Sequence, residues 1–452
     1  MKVVVIGCGK LGLSLITALT HEGHEVVVID PDRAAVEQAA ASLDVLGFCA
    51  NGTDHSVLRD AGMKNTDLFL AVTGSDELNM LSCFLARRMG AAHTAARIRD
   101  WEYDREDLHF LRSELELDLI LNPERLTARA VFNRLRYPSS ILCETFTRSS
   151  FEITGFAVRE GSELDGAVLA ELRGRHKHPF LICLVEREGV VTIPRGSFRL
   201  QAGDKIGLLA QPDDLRRLLR ALDIPVRKSR ETMLVGAGRI SMYLAELLER
   251  DGNNVRIVDR DEDSCARMTQ AVPNATVICA DASRPELLDE EGIGYCDSFV
   301  ALTGMDEENI LLAAYAREKG PENVIVKINR PGYAAIGARL GLASQVSPAA
   351  ITTDSVLSYV HALHASRDSQ VETLYSLFDG AAEAVEFSVG EGFEGCRRAL
   401  SELKLRRDIL VAGILRGSQR IIPGGDDVLL PGDRVIVLSA GCRLRRLAEI
   451  LQ

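Results

Sequence analysis

The residues with the most definite chemistry stand near the start of the chain. Val5-Ile6-Gly7-Cys8-Gly9-Lys10-Leu11-Gly12 spaces three glycines as Gly-x-Gly-x-x-Gly. That spacing alone is a weak signal, but here it has its context. An apolar run precedes it. Leu11, Leu15, Ile16 and Leu19 follow at helical spacing, and Asp30 closes the next apolar run, Val26-Val27-Val28-Ile29. The pattern predicts a strand, a tight turn and a helix, with phosphate chemistry at the turn. Gly7 permits the turn, Gly9 lets the backbone approach a pyrophosphate, and Gly12 lets the helix pack close to the sheet. The helix N-terminus offers unpaired N–H groups and a partial positive charge. Asp30 can accept hydrogen bonds from both ribose hydroxyls, and its charge repels a 2′-phosphate. NAD(H) is therefore favoured over NADP(H).

Other residues fall on the same expected edge. Thr73-Gly74 follows the fourth apolar run, where ligands of open α/β sheets bind, although Thr73 or Ser75 could equally cap a helix. Asp76, Glu77 and Asn79 belong to a first helical turn and read as structural. Arg97 ends a further run and is placed to reach a nucleotide. Cys8 lies at a helix N-terminus, which can lower a thiol pKa. The preferred reading is a small residue packed under the turn. His21 and His24 are expected to cap and flank the first helix.

The whole arrangement occurs twice. Leu234-Val235-Gly236-Ala237-Gly238-Arg239-Ile240-Ser241 repeats the glycine loop, and Asp259 repeats Asp30. Ala71-Val72-Thr73-Gly74-Ser75-Asp76-Glu77-Leu78-Asn79 returns as Ala301-Leu302-Thr303-Gly304-Met305-Asp306-Glu307-Glu308-Asn309. Ile193-Pro194 returns as Ile422-Pro423, and the Leu-x-x-Gly-Asp at 200–204 returns at 429–433. Matches in one register over half the chain mean duplication, with a junction near Asp223 to Arg230. Ser241 stands where the third glycine would be and crowds the helix–strand contact, so the second site is expected to be the weaker.

The elements that must position these residues alternate in type. Strands are expected at 3–6, 26–29, 45–49, 68–72 and 95–98, with helical patterns between them, which reads as a parallel βαβ sheet. From Phe151 the pattern changes to short β runs at 180–185, 190–193 and 205–209, punctuated by Gly and Pro turns. That is a small α+β module, and it recurs from about Val371. The expected fold class is α/β, with two tandem Rossmann-like, doubly wound parallel-sheet domains, each followed by a small α+β domain. The expected boundaries are 1–121 with a crossover helix to about 140, 141–225, 230–348 with a crossover helix to about 368, and 369–452. The apolar stretches Leu126 to Leu135 and Ile351 to Leu363 are expected to be crossover helices that carry a hinge and pack against a neighbouring module, or else ordinary core helices.

Composition narrows the classes. The 452 residues carry a net charge of −12, which argues against nucleic acid or anionic lipid as the main partner. No apolar stretch approaches the roughly 18 residues of a membrane span. The start lacks a basic leader, so a cytoplasmic location is expected. The ten cysteines form no Cys-x-x-Cys pair and read as small buried residues in a reducing compartment. No metal site is expected.

Val5-Ile6-Gly7-Cys8-Gly9-Lys10-Leu11-Gly12, Val28-Ile29-Asp30, Ala71-Val72-Thr73, Asp76-Glu77-Leu78-Asn79 and Ala96-Arg97-Ile98-Arg99 resemble the RCK (KTN) domain family. The Leu-x-x-Gly-Asp motifs resemble its C-terminal companion domain. The resemblance covers nearly the whole chain. It implies a regulator, not an enzyme: a subunit held to the inner face of the cell membrane by a membrane potassium channel or transporter subunit (TrkH/TrkG-like). It also implies a homo-oligomer, as a tetramer would close a ring of eight modules. Bound NAD(H), or ATP or ADP in some members, would change the ring's shape and gate ion flow. The residues it implies as ligand-binding are Gly7 to Leu11, Asp30, Thr53, Thr73, Gly74 and Arg97. In the second half they are Gly236 to Ile240, Asp259, Asp281, Ala282 and Thr303.

Two rivals are weaker. An NAD-dependent dehydrogenase needs a second domain that presents an acid–base group to the nicotinamide. The first small module offers only His176 and His178 in the basic stretch 173–178, which reads as a solvated loop, and the second has no histidine at all. A redox-sensing transcriptional regulator would need a basic helix-turn-helix, and none appears.

Overall fold

In the computed structural model, residues 1–100, 105–136, 140–146, 151–175, 179–222, 224, 229–366, 371–377, 381–442, 444 and 446–452 are described. The first parallel domain runs β1 (Lys2–Ile6), α1 (Lys10–His21), β2 (Glu25–Asp30), α2 (Arg33–Ser42), β3 (Val45–Cys49), α3 (His55–Asp60), β4 (Leu68–Ala71), α4 (Asp76–Arg88), β5 (His93–Arg97), α5 (Arg105–Glu114), β6 (Leu119–Leu121) and α6 (Pro123–Arg136). The sheet order is β3-β2-β1-β4-β5-β6. β1 is apolar throughout Val3–Ile6 and fully covered, as a central parallel strand between two helical layers must be. The five strands read from the sequence are present. The sixth, Leu119–Leu121, is only three residues long and leaves no periodicity to read.

The first small domain comprises β7 (Ser140–Phe146), β8 (Phe151–Ala157), α7 (Leu169–Arg175), β9 (Phe180–Arg187), β10 (Val190–Thr192), β11 (Lys205–Ala210) and α8 (Pro212–Ala221). Its sheet is antiparallel in the order β10-β9-β11-β8-β7. The sequence had shown three of these strands. The basic stretch 173–178 falls partly outside the described residues.

The second half repeats the plan with β12 (Glu231–Val235), α9 (Arg239–Arg250), β13 (Asn254–Asp259), α10 (Glu262–Ala271), β14 (Thr276–Cys279), α11 (Pro285–Glu290), β15 (Ser298–Ala301), α12 (Asp306–Lys319), β16 (Asn323–Lys327), α13 (Pro331–Arg339), β17 (Gln345–Val346) and α14 (Pro348–Ser366). Its small domain has β18 (Val371–Leu377), β19 (Ala382–Ser388), β20 (Ile409–Arg416), β21 (Gln419–Ile421) and β22 (Arg434–Ala440). The sheet orders are β14-β13-β12-β15-β16-β17 and β18-β19-β22-β20-β21.

The chain groups like with like. One compact unit holds residues 1–135 and 229–357, the two parallel domains; the other holds 136–228 and 358–452, the two small ones. In the first unit α6 leaves its own sheet. Ala128, Val131 and Leu135 are buried in the core of the other parallel domain with Leu234, Leu244 and Ile257. α14 answers in the other direction, where Thr353 Oγ1 lies 2.9 Å from Ser14 Oγ of α1. In the second unit Phe151, Ile153 and Leu184 share one core with Leu377, Ala384 and Leu438. No helix among the described residues is long and apolar enough to cross a membrane.

Candidate functional site

In the first parallel domain the sheet order puts the carboxyl ends of β1 and β4 side by side, at the point where the connections change direction. The loop after β1 is fixed from both flanks. Gly7 N donates to Ile29 O at 3.0 Å. Gly7 has φ +101°, and a Cβ on it would lie 3.0 Å from Thr73 N. A Cβ on Gly12 would lie 1.8 Å from Gly7 O, so α1 starts against the strand's own turn. Packing thus dictates Gly7 and Gly12.

Packing does not dictate Gly9 or Gly74. Gly9 has φ −68°, and a Cβ at either position would meet nothing within 4 Å. These two glycines face open space at the carboxyl edge. The amides of Lys10, Leu11 and Gly12 begin α1 there, where a helix leaves its first donors unpaired. That is the room, and the donor set, that a diphosphate requires.

Asp30 is anchored to the loop it serves. Its Oδ2 accepts from Cys8 N at 2.6 Å and its Oδ1 from Asp32 N at 2.8 Å. Each oxygen keeps a lone pair for a hydroxyl donor. Cys8 is buried, and burial, with the charges of Asp30 and Asp32 behind it, pushes its thiol up to about 11. The loop thiol is therefore protonated at neutral pH. Leu11 is 8% exposed, so its side chain serves the core and only its amide faces the site. Lys10 is exposed at the rim.

Thr73 is held rather than free. Its N and Oγ1 both donate to Asn79 Oδ1, at 2.9 and 2.7 Å, and Asn79 Nδ2 donates to Arg97 O at 2.9 Å. The fully buried Asn79 therefore ties the loop after β4 to the end of β5. Arg97 Nη1 reaches Thr73 O at 3.4 Å. Thr53 has its N and Oγ1 bonded to Asn51 Oδ1 at 3.1 and 3.0 Å.

The second site repeats the geometry. Gly236 has φ +106°, and Gly238 and Gly304 face open space. Asp259 accepts from Ala237 N at 2.6 Å and from Asp261 N at 2.9 Å. Thr303 is locked by Asn309 through two bonds of 2.8 Å. Ser241 does more than crowd the contact: its buried hydroxyl donates to Gly236 O, so the extra atoms form a bond at the place where a side chain on Gly12 would collide. Arg239 is exposed at the rim, and Ile240 is 8% exposed and packs into the core. Asp281 Oδ1 accepts from Ser283 N at 3.0 Å, a local turn bond. Ala282 is 7% exposed and packs in a core cluster with Leu288 and Ile293.

Three polar residues escaped the sequence reading. Lys327 occupies the place of Arg97 at the end of β16, and its Nζ donates to Leu302 O at 3.2 Å. Arg99 Nη2 donates to Gly74 O at 2.7 Å. Glu124, in the first turn of α6, lies 3.9 Å from Arg99 Nη1. Burial first, and then Arg99, lowers the Arg97 pKa, with Arg239 of the other loop adding to the effect. Burial lowers that of Lys327, and Lys10 of the first loop adds to it, while Glu124 opposes both shifts. The repeat register could have found Lys327; nothing in the sequence marks Glu124.

The family model for the TrkA-N domain matches residues 3–123 and 232–348, and that for the TrkA-C domain matches 153–223 and 384–452. A relative described as a Trk system potassium uptake protein TrkA homolog, from Archaeoglobus fulgidus, is 30% identical over 453 residues, covering 100% of both chains. Among solved structures, the GsuK channel bound to NAD superposes with a TM-score of 0.64 at 18% identity, covering 97% of this chain and 77% of that one. GsuK bound to ADP gives 0.51 at 14% identity, with 79% and 69% covered.

Proposed function

The chain belongs to the TrkA family, and on that premise we propose that it is a nucleotide-sensing regulatory subunit of a potassium uptake system, not a catalyst. Its ligand is NAD(H), with ADP or ATP able to use the same diphosphate seat. Its partner is a membrane potassium-transporting subunit of the TrkH or TrkG kind, which holds it at the cytoplasmic face, and its assembly is a homotetramer. The relative of this length is named for potassium uptake, and the structural neighbours are named for NAD and ADP.

The observation that carries the ligand reading is the pair of glycines that packing does not need. Gly9 and Gly74, like Gly238 and Gly304, are small where the protein itself would accept a side chain. A bound diphosphate explains the omission. The amides of Lys10 to Gly12 would bind it, Asp30 would orient the ribose, and Thr73, held by Asn79, would keep the second wall in place.

A sensor acts only if its ligand binds two conformations unequally; reversing a 1:99 preference takes about 5.5 kcal/mol of difference. The interlocked helices support such coupling: Ala128, Val131 and Leu135 of α6 are buried in the second parallel domain, and Thr353 of α14 lies 2.9 Å from Ser14 of α1.

NADH fluorescence titration of the full chain tests the site. Gly9→Asp puts a carboxylate where phosphate must approach in the first loop, and one of the two classes of site is expected to lose affinity on the order of 100-fold. Both classes retained unchanged would show that the loop is not a seat. Hydride turnover with a panel of hydroxy acids, aldehydes and alcohols would reject the regulatory reading. Failure to co-purify with a potassium-transporting membrane subunit would reject the partner.

A further inference from the structure

The second half carries a pair of cysteines that the first half lacks. Cys265 lies on α10 and is 6% exposed, whereas Cys279 ends β14 and is exposed. Both converge on Asp259. Cys279 is its register partner in the parallel pair β13–β14, which sets their Cα atoms about 4.8 Å apart. Cys265 Sγ donates to the carbonyl of Asp259 at 3.3 Å, and the amide of Ala280, next to Cys279, donates to the same oxygen at 2.8 Å. The Cys279 side chain also lies near enough to the Cys265 thiol to raise its pKa. The first half is an internal control. There Val36 and Cys49 occupy these places, so a valine stands where the second thiol would be, and the exposed Cys49 turns its Sγ to Pro31 O at 3.5 Å.

We infer that Cys265 and Cys279 form a reversible disulfide that makes the second glycine-loop site responsive to peroxide. Cys279 takes the first step because it is the exposed thiol. Its thiolate attacks one oxygen of hydrogen peroxide, the O–O bond breaks, and the departing hydroxide takes up a proton to leave as water. Cys279 is then a sulfenic acid. The sulfur of Cys265 attacks the Cys279 sulfur, the S–O bond breaks, and the hydroxide leaves as a second water with the Cys265 proton. Two thiols lose two electrons in all, and one peroxide becomes two waters. Burial, and then the Cys279 neighbour, pushes the Cys265 thiol up, so it is not the thiol that meets peroxide first; it attacks as it gives its proton to the departing hydroxide. An external dithiol reverses the bond by exchange.

The bond has a local consequence, which rests on the nucleotide reading above. Forming it takes the Cys265 sulfur from the Asp259 carbonyl and ties α10 to the end of β14. Asp259 is the residue whose carboxylate holds Ala237 N and faces the ribose seat. Oxidation therefore weakens the second site and spares the first.

The test uses the full chain, treated with hydrogen peroxide, alkylated and digested without reductant. A peptide joining Cys265 to Cys279 is expected, lost on reduction and absent from Cys265→Val, which installs the first half's own residue. Cys279→Ser, at an exposed position, gives the same answer should the valine variant fail to fold. Cys279 found as sulfinic acid, or joined to any other cysteine, would overturn the proposal. NADH titration then reads the consequence: about a tenfold loss at one of two classes of site on oxidation, absent from Cys265→Val. An unchanged titration with the disulfide present would overturn the switch. If the reduced protein bound no NADH, the ligand reading would fall while the cross-linked peptide still stood.

Discussion

At the scale of single residues, the two glycine loops show how one atom decides what a position tolerates. A Cβ on Gly12 would lie 1.8 Å from Gly7 O, a backbone atom that cannot swing away. In the second loop the equivalent Ser241 is accommodated, and its hydroxyl donates to Gly236 O. Gly12→Ser is therefore expected to cost about 3 kcal/mol of unfolding free energy through overpacking. Ser241→Gly should cost about 1 kcal/mol, for one hydrogen bond and some helix propensity. Urea unfolding of the two variants checks the order; equal costs would mean that the loops do not differ in this way. The three-glycine spacing, Asp30 and the doubled register were legible from residue type because backbone sterics leave few alternatives there. The tie from Asn79 to Arg97 O, eighteen positions away, was not, since a polar residue in a first helical turn looks the same whether it caps or clamps. Glu124 was invisible for a related reason: a charged residue at an element's end reads as solvated, and only the repeat register, through Arg97, pointed to Lys327.

At the scale of elements, the Leu-x-x-Gly-Asp motif acquires a cause. Asp204 is 2% exposed and grips Arg187 of β9 through two bonds of 2.7 Å, while its Oδ2 also accepts from Gln201 N at 2.9 Å. Asp433 does the same with Arg416 of β20, at 2.9 and 2.8 Å. The motif is a turn that pins two antiparallel strands, so its recurrence marks a structural joint and not a ligand site. The sequence showed the acid but not its arginine, because the pairing depends on the order β9-β11-β8 rather than on nearness in the chain. The bonds from Arg187 hold the Asp204 carboxyl below its ordinary range. Its contribution is thus present above the unfolded carboxyl pKa of about 3.9 and is lost as pH falls through the lower folded value. Asp204→Asn is expected to destabilise the protein by about 1–2 kcal/mol at neutral pH. That deficit should shrink as the medium is acidified below pH 4. A deficit that stayed constant down to acid denaturation would mean that the carboxylate's charge plays no part.

At the scale of the whole molecule, the sequence's natural division into two consecutive halves is not the division of the cores. Each half pairs a parallel domain with a small domain along the chain, yet burial groups the two parallel domains together and the two small domains together. Periodicity showed that the stretch from Leu126 to Leu135 has an apolar face; it could not show whose core that face enters. Val131 is fully buried and Leu135 is 1% exposed, both against Leu244 and Ile257 of the other half. Phe151 and Leu184 likewise meet Leu377 and Leu438. A chain cut between the halves, residues 1–228, would leave both faces bare, and apolar patches of that kind seek partners. Because the halves share one plan, a second copy of the same fragment offers a similar surface in a two-fold arrangement. The fragment is therefore expected to run as a dimer in sedimentation, and mixing it with residues 229–452 should convert the dimers to the mixed pair. Val131→Asp should prevent both associations, since it places an unpaired charge in the shared core. A fragment that stayed monomeric and folded at micromolar concentration would show that each half closes its own core, and the like-with-like grouping would then not be what stabilises the chain.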